Sequence, residues 1–332
     1  DNRTLALRHE MTTPIARLAA SRLRDYPQPL KLSYVSSVFR YEQTQAGRQC
    51  EFHQAGVELM GSATAFADAE VIALAIQGLL RAGLTDFTIC LGQVEFVSGI
   101  MNQYQLTDET KQTLQTALEK HDLVSFDRAI AALDLPEKAK KTLGYLPVLN
   151  GGAEMLKKSY TLALNEQSRR ALDNLAEIYR LLQSYGVEQY VRFDLGIIRD
   201  FSYYTGMVFE VTCPQFSGAV AGGGRYDNMV GKFLGTQVPA VGFSIGFERV
   251  CGILLEQGYQ IPGAKQKIAL LYGKDADFTA VLAKAADLRS SYNVTVLQQA
   301  KKLGKQLGQL EASGFSGAAF MDKDEIKIFA QQ

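Results

Sequence analysis

One stretch of the sequence, FRYEQTQAGRQCEFHQAGVELMG at 39–61, places Arg40, Glu42, Gln54 and Glu58 among apolar neighbours in two runs with strand-like spacing. The runs 32–42 and 52–60 alternate as β-strands do, and the polar loop 43–51 between them is longer than a tight hairpin turn. Side chains two residues apart in a strand share a face. The pattern therefore predicts a β-hairpin in which each strand has a polar face.

The predicted faces group these side chains. Arg40 and Glu42 share one face of the first strand, and Gln54, Gly56 and Glu58 share one face of the second. If both faces point the same way, the sheet suits a zwitterion, because carboxylates bind an ammonium and arginine binds a carboxylate or phosphate in bidentate fashion. Gly56 would leave room for a ligand against the sheet. The alternative is a solvent-facing antiparallel sheet with ordinary ion pairs, and these residues alone leave both open.

Polar residues also stand in other segments where apolar ones would be expected. They are Glu10 and Thr12 in LRHEMT, then Arg199, Tyr203, Tyr204 and Glu210 in IIRDFSYYTGMVFE, and finally Arg225 and Arg249 in AGGGRYDNMVGKF and GFSIGFER. Each has a structural alternative. Glu10 is also the charge that a helix N-terminus favours, Arg249 is also a residue that begins a helix surface, and a GGGR run more often makes a turn than a phosphate cradle.

Composition limits the classes of protein. The chain has 332 residues, 47% of them hydrophobic and 21% charged, with 35 basic and 35 acidic side chains. This predicts one large or two moderate globular domains and argues against a general nucleic-acid or membrane surface. Four dispersed cysteines and three scattered histidines predict thiols in a reducing compartment and no metal site. We expect a cytoplasmic protein, because neither a signal peptide nor a transmembrane-length apolar run is present. No cofactor is expected.

The elements that must position these residues follow from periodicity. Residues 95–190 are predicted to be mostly helical, and a small α/β domain is predicted over 266–332, after a linker at 258–265. The remaining predictions are strands at 4–8 and 86–92, helices at 12–25, 63–84 and 247–257, and late strands within 191–199, 202–213 and 239–247, the last two separated by the glycine run at 220–233. The fold class is α+β, an antiparallel sheet flanked by helices.

These segments, in this order and spacing, resemble the catalytic domain of histidyl-tRNA synthetases, a class II aminoacyl-tRNA synthetase fold. The hairpin looks like the second signature motif of that class, and GFSIGFERV looks like its third. LRHEMT and IIRDFSYYTG look like the two histidine-recognition segments. The resemblance covers about residues 1–255 and extends more weakly to the tail, which looks like a shortened anticodon-binding domain. It implies a synthetase-like domain at 1–257 with a helical insertion near 95–190, and a second domain at 266–332.

The resemblance also implies binding roles for individual residues. A histidine-binding pocket would comprise Glu10, Thr12, Arg40, Gln54, Glu58, Arg199, Tyr203 and Tyr204. Glu10, Gln54 and Glu58 would hold the ammonium and imidazole, Tyr203 and Tyr204 would stand at the imidazole, and Arg199 would meet the carboxylate. A residual ATP or phosphate site would comprise Glu42, Arg48 and Arg249, with Arg40 beside it.

Departures from the synthetase pattern point to a paralogous family. Met11 stands where synthetases have a glycine, Asp200 and Ser202 replace Gly and Asp of an RGLDYYTG-type segment, and the tail is short and only mildly basic. The segments MTTPIARLAASRLRD, ADAEVIALA and GGGRYDNMVGKF resemble the regulatory subunits of short-form ATP phosphoribosyltransferase more closely. Two alternatives remain: a true histidyl-tRNA synthetase whose motifs have diverged, and a protein of the same fold that binds another ligand.

The paralogous family implies how the chain would work. It implies a non-catalytic subunit that activates a catalytic phosphoribosyltransferase partner in histidine biosynthesis and transmits feedback inhibition by histidine. A hetero-octamer and a self-dimer are expected, without tRNA or membrane binding. The chain opens on DNRTLALRHEM, and we expect a segment with the dimer-forming first motif to precede it.

Overall fold

The computed structural model describes residues 4–22, 25–41, 49–198, 203–323 and 325–329. It divides into two compact units, Asp1–Tyr259 and Gln260–Gln332. None of the helices in these described parts has the length and apolar character needed to cross a lipid bilayer.

Within the described residues, the first unit is built on an eight-stranded sheet in the order β1-β2-β8-β7-β6-β3-β5-β4. Neighbouring strands are antiparallel except β3 and β5, which run parallel. The strands are β1 Leu30–Phe39, β2 Glu51–Met60, β3 Thr88–Gln93, β4 Asn150–Gly151, β5 Val191–Asp194, β6 Met207–Cys213, β7 Phe216–Arg225 and β8 Ala240–Gly246. The mixed α+β class and the antiparallel hairpin β1–β2 are confirmed. The predicted extent of the first strand is wrong, because β1 ends at Phe39 and Arg40 therefore lies beyond the strand instead of on its face.

Helices flank this sheet and fill the stretch between β3 and β5. They are α1 Thr12–Arg22, α2 Ala65–Ala82, α3 Val94–Gln103, α4 Asp108–Glu119, α5 Leu123–Ala131, α6 Glu137–Gly144, α7 Ala153–Ser159, α8 Glu166–Tyr185, α9 Gly231–Leu234 and α10 Phe247–Glu256. The two longest helices, α2 and α8, are capped at both ends. The Thr64 and Asn165 side chains cap their N-termini, and Gly83 and Gly186 end them in the left-handed conformation. The predicted helical stretch is confirmed.

The two faces of the sheet differ in chemistry because side chains alternate along each strand. On β6, Met207, Phe209 and Val211 are fully buried in the main apolar core, which α2, α3 and α8 complete. Glu210 and Thr212 alternate with them and are only partly buried. The same alternation along β2 and β8 places polar groups on the face opposite the core, where the candidate site lies.

The glycine run is not a turn, contrary to the sequence expectation. Gly222, Gly223 and Gly224 belong to β7 and pair with β6 on one side and β8 on the other. A Cβ atom at Gly224 would stand 2.6 Å from the carbonyl oxygen of Met207 and 2.8 Å from the Tyr204 ring. Glycine is required here because neighbouring groups approach the backbone closely, and composition alone does not reveal that cause.

We therefore expect Gly224→Ala to lower the free energy of unfolding by about 1–3 kcal/mol, the usual cost of overpacking. Gly252→Ala is the matched control, since Gly252 lies within α10 and a Cβ there would meet nothing within 4 Å. The control should gain about 0.5–1 kcal/mol from helix propensity. Denaturant unfolding of both variants measures the contrast, and equal stabilities would contradict this account of β7.

A second expectation, the strand at 4–8, is wrong. Residues 4–8 have no strand assignment, and Leu5 and Leu7 are 90% and 71% exposed. The segment joins the sheet only near its end, where the Phe39 backbone N–H donates to the carbonyl of Arg8 at 2.8 Å. The alternating sequence lacks a continuous partner among the described residues, and alternation without a ladder does not make a strand.

The second unit is a small α/β structure with the strand order β10-β9-β11-β12. Its elements are β9 Lys267–Tyr272, α11 Phe278–Leu288, β10 Asn293–Gln298, α12 Leu303–Ala312, β11 Gly317–Phe320 and β12 Lys327–Ile328. The β10, β9 and β11 strands are parallel, and β12 is antiparallel to β11. Separate apolar clusters cover the two sheet faces, one around Val281 of α11 and the other around Leu310 of α12.

Candidate functional site

A polar pocket lies on the open face of the first sheet, over β1, β2, β8 and β7. It encloses about 360 Å³ of empty space, open solvent included. Its lining comes from the strand faces, the start of α1 and the segment before β6: Glu10, Thr12, Tyr34, Arg40, Gln54, Glu58, Tyr203, Tyr204, Gly222, Gly223, Tyr226, Gly242, Phe243 and Ser244. Most of the residues that the sequence singles out as a pocket are therefore brought together.

Glu58 is the most deeply buried carboxyl group of the pocket. Its residue is 1% exposed, and its carboxylate accepts hydrogen bonds from the Thr12 hydroxyl at 2.9 Å and from the Tyr226 hydroxyl. Burial raises the pKa of the Glu58 carboxyl from 4.5 to about 8, against the lowering effect of these two bonds. The carboxyl therefore titrates near neutral pH, and a cationic ligand would favour its charged form.

Glu10 places a second buried carboxylate in the lining. It is 5% exposed, and its two carboxylate oxygens accept the Thr13 backbone N–H at 2.9 and 3.2 Å. This contact satisfies one of the unpaired donors at the start of α1. Glu10 thus fills the helix-terminal role and lines the pocket at the same time, so the two sequence interpretations are compatible.

Gln54 presents an unsatisfied acceptor. Its side-chain NH₂ donates to the Ser244 hydroxyl at 3.2 Å, whereas its Oε1 is buried and has no hydrogen-bond partner among the described residues. The residue is 8% exposed. A buried polar atom without a partner costs free energy, so Oε1 calls for a donor that a ligand would supply.

Aromatic hydroxyl groups form much of the remaining wall. Tyr203 packs against Tyr204 with ring centroids 4.8 Å apart and meets Tyr226 edge-on at 5.9 Å. Burial, followed by the charge of Glu58, raises the pKa of Tyr34 and of Tyr226 well above the usual value, which keeps their hydroxyls neutral. The walls therefore offer aromatic faces and O–H donors.

The expected space above Gly56 is filled, which corrects the sequence analysis. Tyr34 is the cross-strand partner of Gly56, and its ring lies where a Cβ atom of residue 56 would stand. An aromatic ring that covers a glycine on the adjacent strand is a known way of stabilising a sheet. The glycine thus accommodates a tyrosine of the protein itself, and the ligand space lies further along the face.

Tyr34 and Tyr226 were missed by the sequence analysis. Nothing in the local sequence distinguishes Tyr34 from an ordinary strand residue, because the register that sets it opposite Gly56 depends on a long loop. Tyr226 follows the glycine run, which the sequence analysis treats as a turn. The Tyr226 hydroxyl can reach Glu58 only because the glycine run forms strand β7 next to β8, and the sequence alone does not show that pairing.

The arginines occupy different places. Among the described lining residues, Arg40 carries the one positive charge, and its Nε donates to the His9 carbonyl at 2.9 Å while its guanidinium lies 5.2 Å from the Phe52 ring centroid. Arg249 does not line the pocket. Its Nη1 donates to the carbonyl of Ala219 in β7 at 2.6 Å. The predicted residues Arg199, Glu42 and Arg48 lie outside the described residues.

The electrostatics of the pocket favour a ligand with an ammonium group. Two carboxylates that are nine-tenths buried or more stand in one lining with a single described cation, Arg40. Aromatic faces and carboxylates together attract ammonium groups, and a buried charge requires a partner. Within the part of the chain that the structure describes, no group of three or more His, Cys, Asp or Glu side chains is arranged to hold a metal ion.

Comparison with known proteins places this chain in a family. Residues 1–250 match the family model of histidyl-tRNA synthetase. The ATP phosphoribosyltransferase regulatory subunit of Moorella thermoacetica is 41% identical to this chain, over 98% of this chain and 80% of the relative. That of Halothermothrix orenii is 38% identical, over 89% of this chain and 70% of the relative.

A solved structure agrees with these relatives. An ATP phosphoribosyltransferase regulatory subunit/histidyl-tRNA synthetase from Bacillus halodurans matches with a TM-score of 0.81 and 32% identity, over 94% of this chain and 79% of that chain. The fold and the family match thus define a class II, histidyl-tRNA synthetase-like protein. Within that class, the chain belongs to the family of ATP phosphoribosyltransferase regulatory subunits. The resemblance drawn from the sequence motifs is confirmed.

Proposed function

We propose that this chain is the non-catalytic regulatory subunit of an ATP phosphoribosyltransferase and that it binds histidine in the polar pocket. The observation that carries the ligand assignment is the buried set of Glu10, Glu58 and the unpartnered Oε1 of Gln54. An amino acid supplies an ammonium group for these acceptors. Its imidazole ring would stand among Tyr203 and Tyr204, and its carboxylate would meet Arg199, with Arg40 in the same lining.

Regulation then requires coupling between this pocket and a catalytic partner. Histidine shifts the assembly toward a less active state only if it binds that state more tightly, typically by about 1–3 kcal/mol. A hetero-octamer with a self-dimer of this chain is the assembly that we propose, in the cytoplasm where the biosynthetic step takes place. We propose that the chain needs neither tRNA nor a cofactor for this role.

The competing function is a histidyl-tRNA synthetase, which Arg40 in the pocket lining favours. The sequence departures at Met11, Asp200 and Ser202 favour the regulatory role. Histidine-dependent exchange of pyrophosphate into ATP separates the two. We expect no exchange from folded protein that histidine stabilises against heat, whereas clear exchange would mean that the chain makes histidyl-adenylate and would overturn the regulatory proposal.

A substitution at Gln54 tests the pocket itself. Gln54→Met keeps the side-chain length but removes the acceptor, so we expect histidine affinity to fall about 10-fold, the value of a hydrogen bond with one charged partner. Stability without ligand should change little, because one bond to Ser244 and one unsatisfied atom disappear together. Calorimetric titration measures the affinity and denaturant unfolding measures the stability.

Gln103 in α3 offers a matched control, since its Nε2 is also buried without a hydrogen-bond partner among the described residues. Gln103→Met should leave histidine affinity unchanged. Equal losses of affinity in both variants would show a general effect on folding, and no loss in Gln54→Met would place the ligand elsewhere.

A further inference from the structure

A buried guanidinium lies next to the pocket without lining it. Arg225, the last residue of β7, is 6% exposed. Its Nε and Nη2 donate to one carboxylate oxygen of Asp68 in the first turn of α2, at 2.9 and 2.6 Å. Its Nη1 donates to the Ser62 carbonyl and to the Asp227 carboxylate, both at 3.0 Å. The group therefore ties the end of β7 to the start of α2.

These bonds fix the backbone on both sides of Tyr226. The Asp227 carboxylate that binds Arg225 also accepts the Ala240 N–H at 3.0 Å, and the Tyr226 N–H donates to the Ala240 carbonyl at 2.7 Å. The Thr205 N–H donates to the Arg225 carbonyl at 2.8 Å, and the Asp227 N–H donates to the Thr205 hydroxyl at 3.0 Å. The backbone on each side of Tyr226 is therefore bonded to Thr205, and Asp227 is bonded to Ala240 as well.

We propose that Arg225 is a positioning residue of the ligand pocket: it fixes the segment around Tyr226, aims that hydroxyl at Glu58, and so sets the affinity for a ligand that it does not touch. This inference rests on the proposed function of the pocket. Its physical basis is that a binding group holds its geometry only when supporting residues lock it.

A stabilising role alone does not account for this arrangement. Replacing a buried ion pair by apolar residues of similar volume is often neutral or stabilising. The bonds from Arg225 are instead directional: one joins it to Asp227 across Tyr226, the hydroxyl donor to Glu58, and two others anchor it to Asp68 of α2. They would therefore matter more to the geometry of the pocket than to the stability of the fold.

The test is a double-mutant cycle on histidine affinity, measured by calorimetry on the full chain. The paired substitution Asp68→Leu with Arg225→Met removes both members of the buried ion pair, and Asp227, whose side chain is 22% exposed, keeps the bond from the Ala240 N–H. We expect this folded variant to bind histidine about 10-fold more weakly, within the range of coupling in one hydrogen-bond network. In a Tyr226→Phe background the same pair should cause no further loss, because Arg225 acts through that hydroxyl.

The pH profile gives a readout that a purely structural role would not change. The Tyr226 bond lowers the pKa of Glu58, so loosening it should shift the pH dependence of histidine binding toward higher pH. Arg169→Met is the control, since the Arg169 Nε donates to the Ala163 carbonyl at 2.9 Å in the helical region. That variant should keep both the affinity and the pH profile of the wild type.

Each outcome decides the inference. The inference would be overturned if the folded pair variant bound histidine as tightly as the wild type. It would also be overturned if the pair substitution weakened histidine binding further in the Tyr226→Phe background. If the pair variant does not fold, Arg225→Lys enters the same cycle, and failure of both to fold would assign Arg225 to folding and likewise overturn it. A wild-type chain that binds no histidine would instead defeat the proposed function itself, so the two failures are distinguishable.

Discussion

Replacing Glu58 with glutamine is expected to weaken histidine binding about 100-fold, because losing one partner of a buried, hydrogen-bonded charge pair costs about 2–5 kcal/mol. Glutamine keeps the size of the side chain. Its oxygen accepts one of the two bonds that the Thr12 and Tyr226 hydroxyls donate to Glu58, and its NH₂ group donates to the other hydroxyl. The loss would therefore report the missing negative charge. Calorimetric titration measures it, with Glu177→Gln on the exposed side of α8 as the control.

The same substitution should change stability in the opposite direction. The folded-state pKa of Glu58 is raised from 4.5 to about 8. The contribution of this carboxyl to the free energy of unfolding is therefore fully present below pH about 4.5 and is lost as pH rises toward 8. Glutamine does not titrate, so Glu58→Gln should become progressively more stable than the wild type across this window, by about 2–4 kcal/mol at pH 8 without ligand.

Parallel stability curves of the two proteins between pH 4.5 and 8 would contradict the burial of a titrating Glu58. Unchanged histidine affinity would contradict the pocket and would move the ligand to another site, such as a subunit interface. The two measurements are independent, because one uses the protein without ligand and the other uses only its affinity.

Removing Asp68 alone is expected to have the largest effect on folding. Asp68→Ala leaves the Arg225 guanidinium buried with only Asp227 as a carboxylate partner among the described residues. Breaking a buried ion pair from one side typically costs about 3–5 kcal/mol of unfolding free energy, a large share of the total stability of a domain. Denaturant unfolding measures this cost.

An exposed ion pair provides the comparison. Arg180 and Glu177 form a bidentate contact on α8, and their side chains are 62% and 45% exposed. Glu177→Ala should leave the unfolding midpoint nearly unchanged, because water and salt screen such pairs. A loss in Asp68→Ala no greater than in Glu177→Ala would show that the interior pair has no structural role.

The hairpin shows what the sequence predicts well. Alternation places Gln54 and Glu58 on one face of β2, and the antiparallel register confirms that they share a face of the sheet. Local periodicity suffices here, because the faces of a strand follow from the backbone alone. The helices at 63–84 and 166–186 were likewise predictable from spacing and caps.

The parts that could not be predicted depend on contacts between distant residues. Tyr34 covers Gly56 only in one register, and loop 43–51 does not fix that register through any short turn. Gly224 looks like a turn residue until the approach of Tyr204 and Met207 explains it. Tyr226 enters the pocket for the same reason, since its position follows from β7 lying between β6 and β8.

The most direct test of the central claim is reconstitution with a short-form catalytic subunit of ATP phosphoribosyltransferase. We predict that adding this chain makes the catalytic subunit active and that histidine then inhibits the mixture. With Glu58→Gln in place of the wild type, activation should persist while inhibition requires about 100-fold more histidine. Activity that is indifferent to the chain, or inhibition that is unchanged by the substitution, would contradict regulation through this pocket.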